Sequence, residues 1–167
     1  MSGLDAFVGE REIASPTDME NLGRAFGRDL RAGDLIVLTG PLGAGKTTLT
    51  RGIAESLDVR GRVQSPTFVI ARTHPSLVDG PPLVHVDAYR LGTDGELDDL
   101  DIDFAGSVVI AEWAAPFADA VADVWWEVEI DRGWSGTGVD NACGTAGPHM
   151  AAMEDAAPRL VRITRHG

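Results

Sequence analysis

Cysteine is almost missing from this chain: Cys143 is the only one among 167 residues. With no second thiol, neither a disulfide framework nor a zinc site built from cysteines can form within the chain, which fits a reducing compartment. Long apolar runs are missing too. No stretch approaches the roughly 20 residues a membrane-spanning helix needs, and the N-terminus shows no basic segment followed by an apolar one. The expectation is therefore a soluble, cytoplasmic protein. Positive charge is scarce: 14 basic residues face 26 acidic ones, for a formal net charge of −12. Non-specific affinity for nucleic acid comes mainly from Lys and Arg displacing counterions, so this chain alone is unsuited to gripping a phosphate backbone. Any work on nucleic acid would need a partner. No internal repeat is visible. What remains is an ordinary globular composition, 44% hydrophobic, long enough for one compact domain with a single core across residues 1–167.

Read along the chain, residues 1–14 show no clear period. Thr17 and Glu20 have the spacing of a capping box and open a predicted helix to about Arg31, with Leu22, Ala25, Phe26 and Leu30 on one face and a stop at Gly33. Leu35 to Thr39 is a continuous apolar run of the kind buried on both faces of a parallel sheet. A Gly-rich loop follows, and then a helix from Lys46 to about Leu57 with Leu49, Ile53 and Leu57 inward. Phe68 to Arg72 and Leu83 to Val86 read as strands separated by a Pro- and Gly-containing loop. Asp94 to Leu100 reads as a short acidic helix. Ser107 to Ala111 is a second buried-strand run ending at Glu112, and Val124 to Ile130 and Leu160 to Thr164 are two further strands. These last two alternate more, as edge or antiparallel strands do. Residues 131–157, rich in Gly, Ala and small polar types, are too long for an ordinary connection and are expected to be mobile. The order of elements predicts one three-layer α/β domain, its sheet mostly parallel and helices on both faces.

The chemistry concentrates at GPLGAGKTT, residues 40–48. Strand, loop, lysine and helix agree with a P-loop, the pattern that cradles the phosphates of a nucleoside triphosphate. Gly40, Gly43 and Gly45 permit backbone angles that aim successive N–H groups at phosphates, and the helix N-terminus adds its partial positive charge. Thr47 is placed to ligate Mg²⁺. Of the 14 basic residues, Lys46 is the only lysine. A chain that otherwise uses arginine keeps a compact ammonium on a flexible stem where the β/γ-phosphates must be reached.

A P-loop needs a second metal anchor, and Glu112, at the end of the apolar strand 107–111, is the candidate, holding Mg²⁺ through water. An isolated glutamate there would be an ordinary solvated carboxylate, but strand ends beside a P-loop are where open α/β sheets bind ligands. In HVDAYR, 85–90, His85 and Asp87 share one side of a strand. Asp87 could orient the attacking water or complete the metal shell, or pair with Arg90 at the surface; His85 could equally be a satisfied core histidine. SPTF at 65–68 makes Thr67 a candidate γ-phosphate sensor, although Ser-Pro-Thr is also a common turn.

Absences narrow the nucleotide. A guanine-reading N-K-x-D motif needs a second lysine, so ATP is the expected nucleotide. No Arg-rich stretch of the sort a kinase lid uses is present, although a small-molecule or nucleoside kinase and a nucleotide-gated binding module without turnover remain alternatives.

The P-loop with Thr48, SPTF, HVDAYR and the pair Glu112–Trp113 together resemble the TsaE (YjeE) family, the ATPase component of bacterial tRNA threonylcarbamoyladenosine biosynthesis. The resemblance runs from about Thr17 to about Ile130. It implies an ATPase, slow alone, that works with two other proteins of the threonylcarbamoyl-transfer complex, of the TsaB and TsaD type, and meets tRNA only through them. By the same resemblance Gly43, Ala44, Gly45, Lys46, Thr47 and Thr48 would wrap the phosphates of ATP, Thr47 and Glu112 would hold Mg²⁺, Asp87 would serve hydrolysis, and Trp113 would lie near the nucleotide, a partner or the core. Three departures stand out: Pro41 where the family usually has Asp, Asp101 where it often has Gly, and the Gly/Ala-rich stretch 131–157, which leaves any nucleotide contact from Arg132 or Arg159 unplaced.

Overall fold

A computed structural model describes residues 3–64, 70–91, 96, 99–132 and 157–167. A 3-10 turn, Gly3–Phe7, leads into β1 (Gly9–Ile13), α1 (Pro16–Gly27), β2 (Leu35–Thr39), α2 (Lys46–Ser56), β3 (Ala71–His74), β4 (Leu83–Asp87), β5 (Val108–Glu112), α3 (Ala115–Val121), β6 (Trp125–Asp131) and β7 (Arg159–His166). The strands form one sheet in the order β1-β7-β6-β2-β5-β4-β3. Its centre, β6-β2-β5-β4, is parallel, whereas β3, β7 and β1 pair antiparallel towards the two edges. The mostly parallel sheet read from the sequence is thus the middle of a mixed one.

The two continuous apolar runs occupy the middle because both their faces are covered. In β2, Ile36 and Leu38 join one core with Leu49 and Ile53 of α2 and Met19, Leu22 and Phe26 of α1. Leu35 and Val37 point to the opposite face, where Val109, Ala111 and Ala118 of α3 meet them. Helices therefore flank the sheet on both sides, as expected. The more alternating strands pair antiparallel, as one of the two readings had it, and neither is an edge: β6 is antiparallel to β7 although parallel to β2, and β7 lies antiparallel between β6 and β1.

Two local expectations, both about α1, are corrected. The cap of α1 is Ser15, with Pro16 in the first turn; Ser15 Oγ accepts from the Asp18 N–H at 3.1 Å and donates to the Asp18 carboxylate at 2.7 Å. Ser15 and Asp18 have the same three-residue spacing as Thr17 and Glu20, and the proline, favoured at a helix's first position, decides between them. The helix also ends at Gly27 instead of running on to Gly33, which turns the chain with φ +96°. Strand β1 gave no period because only Ile13 of GEREI is buried, its pairing with β7 being backbone to backbone. The described part of the Phe68 to Arg72 strand begins at Ala71 and runs to His74. The predicted acidic helix at 94–100 and the stretch 131–157 fall largely outside the described residues, as does SPTF with Thr67.

Candidate functional site

The chain leaves β2 at Thr39, turns through residues 40–45 and enters α2 at Lys46. Two left-handed glycines make the turn, Gly43 at φ +75° and Gly45 at φ +116°, conformations that L side chains resist. Gly40 serves a different need: a Cβ there would come within 2.7 Å of the Ile130 carbonyl of neighbouring β6. The loop is thereby wedged against the sheet, with the free N–H groups of the first α2 turn at its mouth.

Lys46 is buried, and its Nζ donates to the carbonyls of Gly40 at 2.6 Å and Pro41 at 3.1 Å. Burial pushes its pKa below the ordinary lysine value, while the charges of Glu112 and Asp87 act in the opposite direction. Those two carboxylates end adjacent parallel strands and are paired in register, Asp87 beside Glu112, with Leu38 of β2 on the other side of Glu112. Lys46, Asp87 and Glu112, read separately from the sequence, are therefore gathered at the C-terminal ends of β2, β4 and β5, with half-buried Thr47 on the same helix turn as Lys46.

Glu112 is not the solvated carboxylate an isolated glutamate would be. It is 5% exposed, and its Oε1 lies 3.1 Å from Nε2 of His85, which is fully buried. Asp87 is half-buried and accepts the Tyr89 N–H at 3.0 Å. Trp113, next after Glu112, has φ +63°, its N–H donating to the Leu38 carbonyl. That turn lays its indole 5.1 Å from the Lys46 ammonium and edge-on to exposed Tyr89, with ring centres 5.8 Å apart. Trp113 thus walls the lysine.

Two arginines that sequence reasoning left unplaced both reach the loop. Arg132, just beyond β6, donates to the Leu42 carbonyl at 2.9 Å, and buried Arg159, at the start of β7, donates through Nε to the Ala44 carbonyl at 3.3 Å. Arg159 also lines a cleft of about 240 Å³ beside Gly43, Ala44, Gly45 and Thr48, whose far wall is Ile13, Ser15, Pro16 and Met19. Ser15 and Pro16 open α1, and the packing of α1 on α2 together with the pairing of β1 with β7 brings that wall to the loop.

The oxygen donors here are one hydroxyl, Thr47, and two carboxylates, Glu112 and Asp87. Such a set suits Mg²⁺, which takes one or two carboxylates and fills its octahedron with phosphate oxygens and water. Among the described residues no three His, Cys, Asp or Glu side chains form a protein cage for a metal. No helix among them is long and apolar enough to cross a membrane.

Comparison with known proteins agrees with this geometry. A family model described as "Threonylcarbamoyl adenosine biosynthesis protein TsaE" matches residues 13–136. The tRNA threonylcarbamoyladenosine biosynthesis protein TsaE of Streptomyces coelicolor is 57% identical over 117 residues, covering 68% of this chain and 79% of that protein. Its Bacillus subtilis namesake is 39% identical over 120 residues, covering 71% and 74%. Among solved structures, the crystal structure of YdiB from Bacillus subtilis superposes with a TM-score of 0.62 at 27% identity, over 94% of this chain and 84% of that one. A match from the last residue of β1 to just beyond β6 takes in every element that builds the loop and its carboxylates, and the chain belongs to the TsaE family of tRNA threonylcarbamoyladenosine biosynthesis proteins.

Proposed function

We propose that this chain is a magnesium-dependent ATPase that supports threonylcarbamoyladenosine modification of tRNA together with two partner proteins of the TsaB and TsaD type. The observation that carries the reading is the convergence of Lys46, Thr47, Asp87 and Glu112 around one Gly-rich strand-to-helix turn. Backbone N–H groups from Gly43 to Thr48 would hold the phosphates, helped by the helix N-terminus. Lys46 would exchange its two carbonyl partners for β/γ-phosphate oxygens, a gain because a buried ammonium is better matched by anions than by neutral acceptors. Thr47 and Glu112 would hold Mg²⁺, whose role when bound is to neutralise charge on the transferred phosphoryl group. Asp87, partly open to solvent, would orient the attacking water.

The cleft walled by Ile13, Pro16, Met19 and Thr48 adjoins the loop and offers apolar surface with Arg159 at its side, so it would take the base and ribose end. Thr67 as γ-phosphate sensor is part of the same proposal. An acidic chain at −12 would meet tRNA through its partners. Cytoplasmic residence follows from that role.

The test is phosphate release from Mg-ATP by the purified chain, with and without the two partners, using Lys46→Ala as the blank. Slow release that the partners raise and the variant abolishes is expected. Release indifferent to the partners overturns the pathway role, and phosphate delivered to an added acceptor instead of water makes the protein a kinase. ATP binding to Lys46→Ala should be weaker by about 2–4 kcal/mol; unchanged affinity overturns the P-loop assignment.

A further inference from the structure

His85 has no part in the chemistry described so far, yet it is placed as if it belonged to it. It lies on β4 two residues before Asp87, so both side chains are on the α2 face of the sheet, and its ring is fully buried. Nε2 lies 3.1 Å from Oε1 of Glu112, while Nδ1 is buried with no hydrogen-bond partner among the described residues.

A carboxylate offers only acceptor atoms, so the short contact requires the imidazole proton on Nε2. Nδ1, buried without a partner among the described residues, is less costly to bury as a bare lone pair than as an N–H. The Nε2–H is thus spent on Glu112. Burying a ring with one unmet nitrogen costs more than burying leucine or phenylalanine in the same space. As a mere filler His85 would be a poor choice; as the donor that holds one oxygen of Glu112 it has a use no apolar side chain could supply.

We propose that His85 is a positioning residue for the divalent cation: its Nε2–H holds Oε1 of Glu112, leaving Oε2 as the single oxygen offered to the metal or its water. The inference rests on the ATPase reading above and adds a consequence for metal selectivity. A carboxylate with one oxygen already accepting a hydrogen bond is biased towards binding a metal through the other, which suits the octahedral shell of Mg²⁺ or Mn²⁺ and disfavours Ca²⁺, which often takes both oxygens. Partners that orient a metal-binding side chain commonly change metal affinity by about 10–100-fold when removed.

Three substitutions separate this role from packing. His85→Gln keeps an amide N–H close to the position of Nε2, His85→Asn carries the same amide one methylene short, and His85→Phe keeps the volume with no donor. Mn²⁺ affinity would be read by electron paramagnetic resonance with a non-hydrolysable ATP analogue bound, followed by competition with Ca²⁺ and by thermal unfolding of each variant. We expect Mn²⁺ affinity to fall about tenfold in His85→Phe and His85→Asn, and their preference for Mn²⁺ over Ca²⁺ to shrink by about threefold or more, with His85→Gln close to the unaltered protein. If the unaltered protein shows no nucleotide-dependent Mn²⁺ site, the ATPase reading falls and this inference with it. If that site is present and neither affinity nor the Mn²⁺/Ca²⁺ ratio changes in His85→Asn and His85→Phe, the positioning role alone is overturned. An equal loss in all three variants with an unchanged ratio reduces His85 to packing and overturns it as well. Should the variants not fold, nitrogen-15 histidine resonances of the unaltered protein decide: a protonated Nε2 and a bare Nδ1 are expected, and the opposite tautomer overturns the proposal.

Discussion

Gly23 of α1 and Gly52 of α2 let the two helices cross with their backbones touching. A Cβ on Gly23 would lie 3.1 Å from the Gly52 Cα and 2.3 Å from the Leu49 carbonyl, and one on Gly52 would lie 2.2 Å from the Glu20 carbonyl. Because α2 begins with Lys46, this crossing also sets the position of the loop.

Alanine at either glycine should therefore destabilise the fold even though it is the better helix former. The intrinsic gain is about 1 kcal/mol. Overpacking against backbone, which cannot swing away as a side chain can, commonly costs about 1–3 kcal/mol and more where shifts are large. The 2.2 Å approach to the Glu20 carbonyl puts Gly52→Ala at the upper end of that cost, so urea unfolding should show a net loss of about 2 kcal/mol. A variant as stable as the unaltered protein would mean that the helices are not in backbone contact.

The single lysine makes the charge of the loop directly readable. Carbon-13 labelling of lysine gives one side-chain resonance, from Lys46, and its titration should fall below the ordinary value of 10.5 because burial outweighs the two carboxylates. In the window between the folded value and 10.5 the unfolded chain binds the extra proton, so this group's contribution to stability rises with pH there; at lower pH the buried charge weighs against the fold. Glu112→Gln removes a neighbouring negative charge and should push the titration lower still. A resonance that titrates at 10.5 or above in both proteins contradicts the burial of the ammonium.

The same Glu112→Gln variant separates metal binding from fold. Gln keeps an oxygen to accept from His85, so the thermal midpoint should move little. Mg²⁺-dependent phosphate release should nevertheless fall on the order of 100-fold, equivalent to a few kcal/mol of lost charge stabilisation. Release within threefold of the unaltered protein would remove Glu112 from the proposed metal site.

Trp113 supplies a test that runs against ordinary propensity. At φ +63° a side chain costs roughly 1–2 kcal/mol relative to glycine. Both Trp113→Ala and Trp113→Gly lose the contacts to Lys46 and Tyr89, so comparing the two cancels that loss. Trp113→Gly should be the more stable by about 1 kcal/mol in denaturant unfolding, and the reverse order would mean that residue 113 is not left-handed.

Much of this protein was legible in its sequence, and the legible parts share a cause. Strand β2, the Gly-rich turn and α2 are encoded by neighbours in the chain: a run of apolar residues, glycines where the backbone must turn left-handed, and then a helical stripe. The family emerged from the spacing of short motifs along the chain, and the carboxylates Asp87 and Glu112 stood out because each ends a buried strand. All of these signals are local in the sequence.

What the tertiary structure alone decided depends on residues distant in the chain becoming neighbours. The His85 to Glu112 bond spans 27 residues and needs β4 and β5 in parallel register. The reach of Arg159 to Ala44 spans 115 and needs β7 to pair between β6 and β1. Strand β1 exposes most of its side chains and is held by backbone hydrogen bonds that leave no hydrophobic period. The sequence by itself determined the Gly-rich strand-to-helix turn this chain makes and the carboxylates that end its buried strands, because short-range sterics and burial patterns act within a few residues. Which histidine holds a carboxylate, which arginines brace the loop and which residues wall the neighbouring cleft came from sheet order, because which strand lies beside which is set by backbone hydrogen bonds that any residue but proline can make.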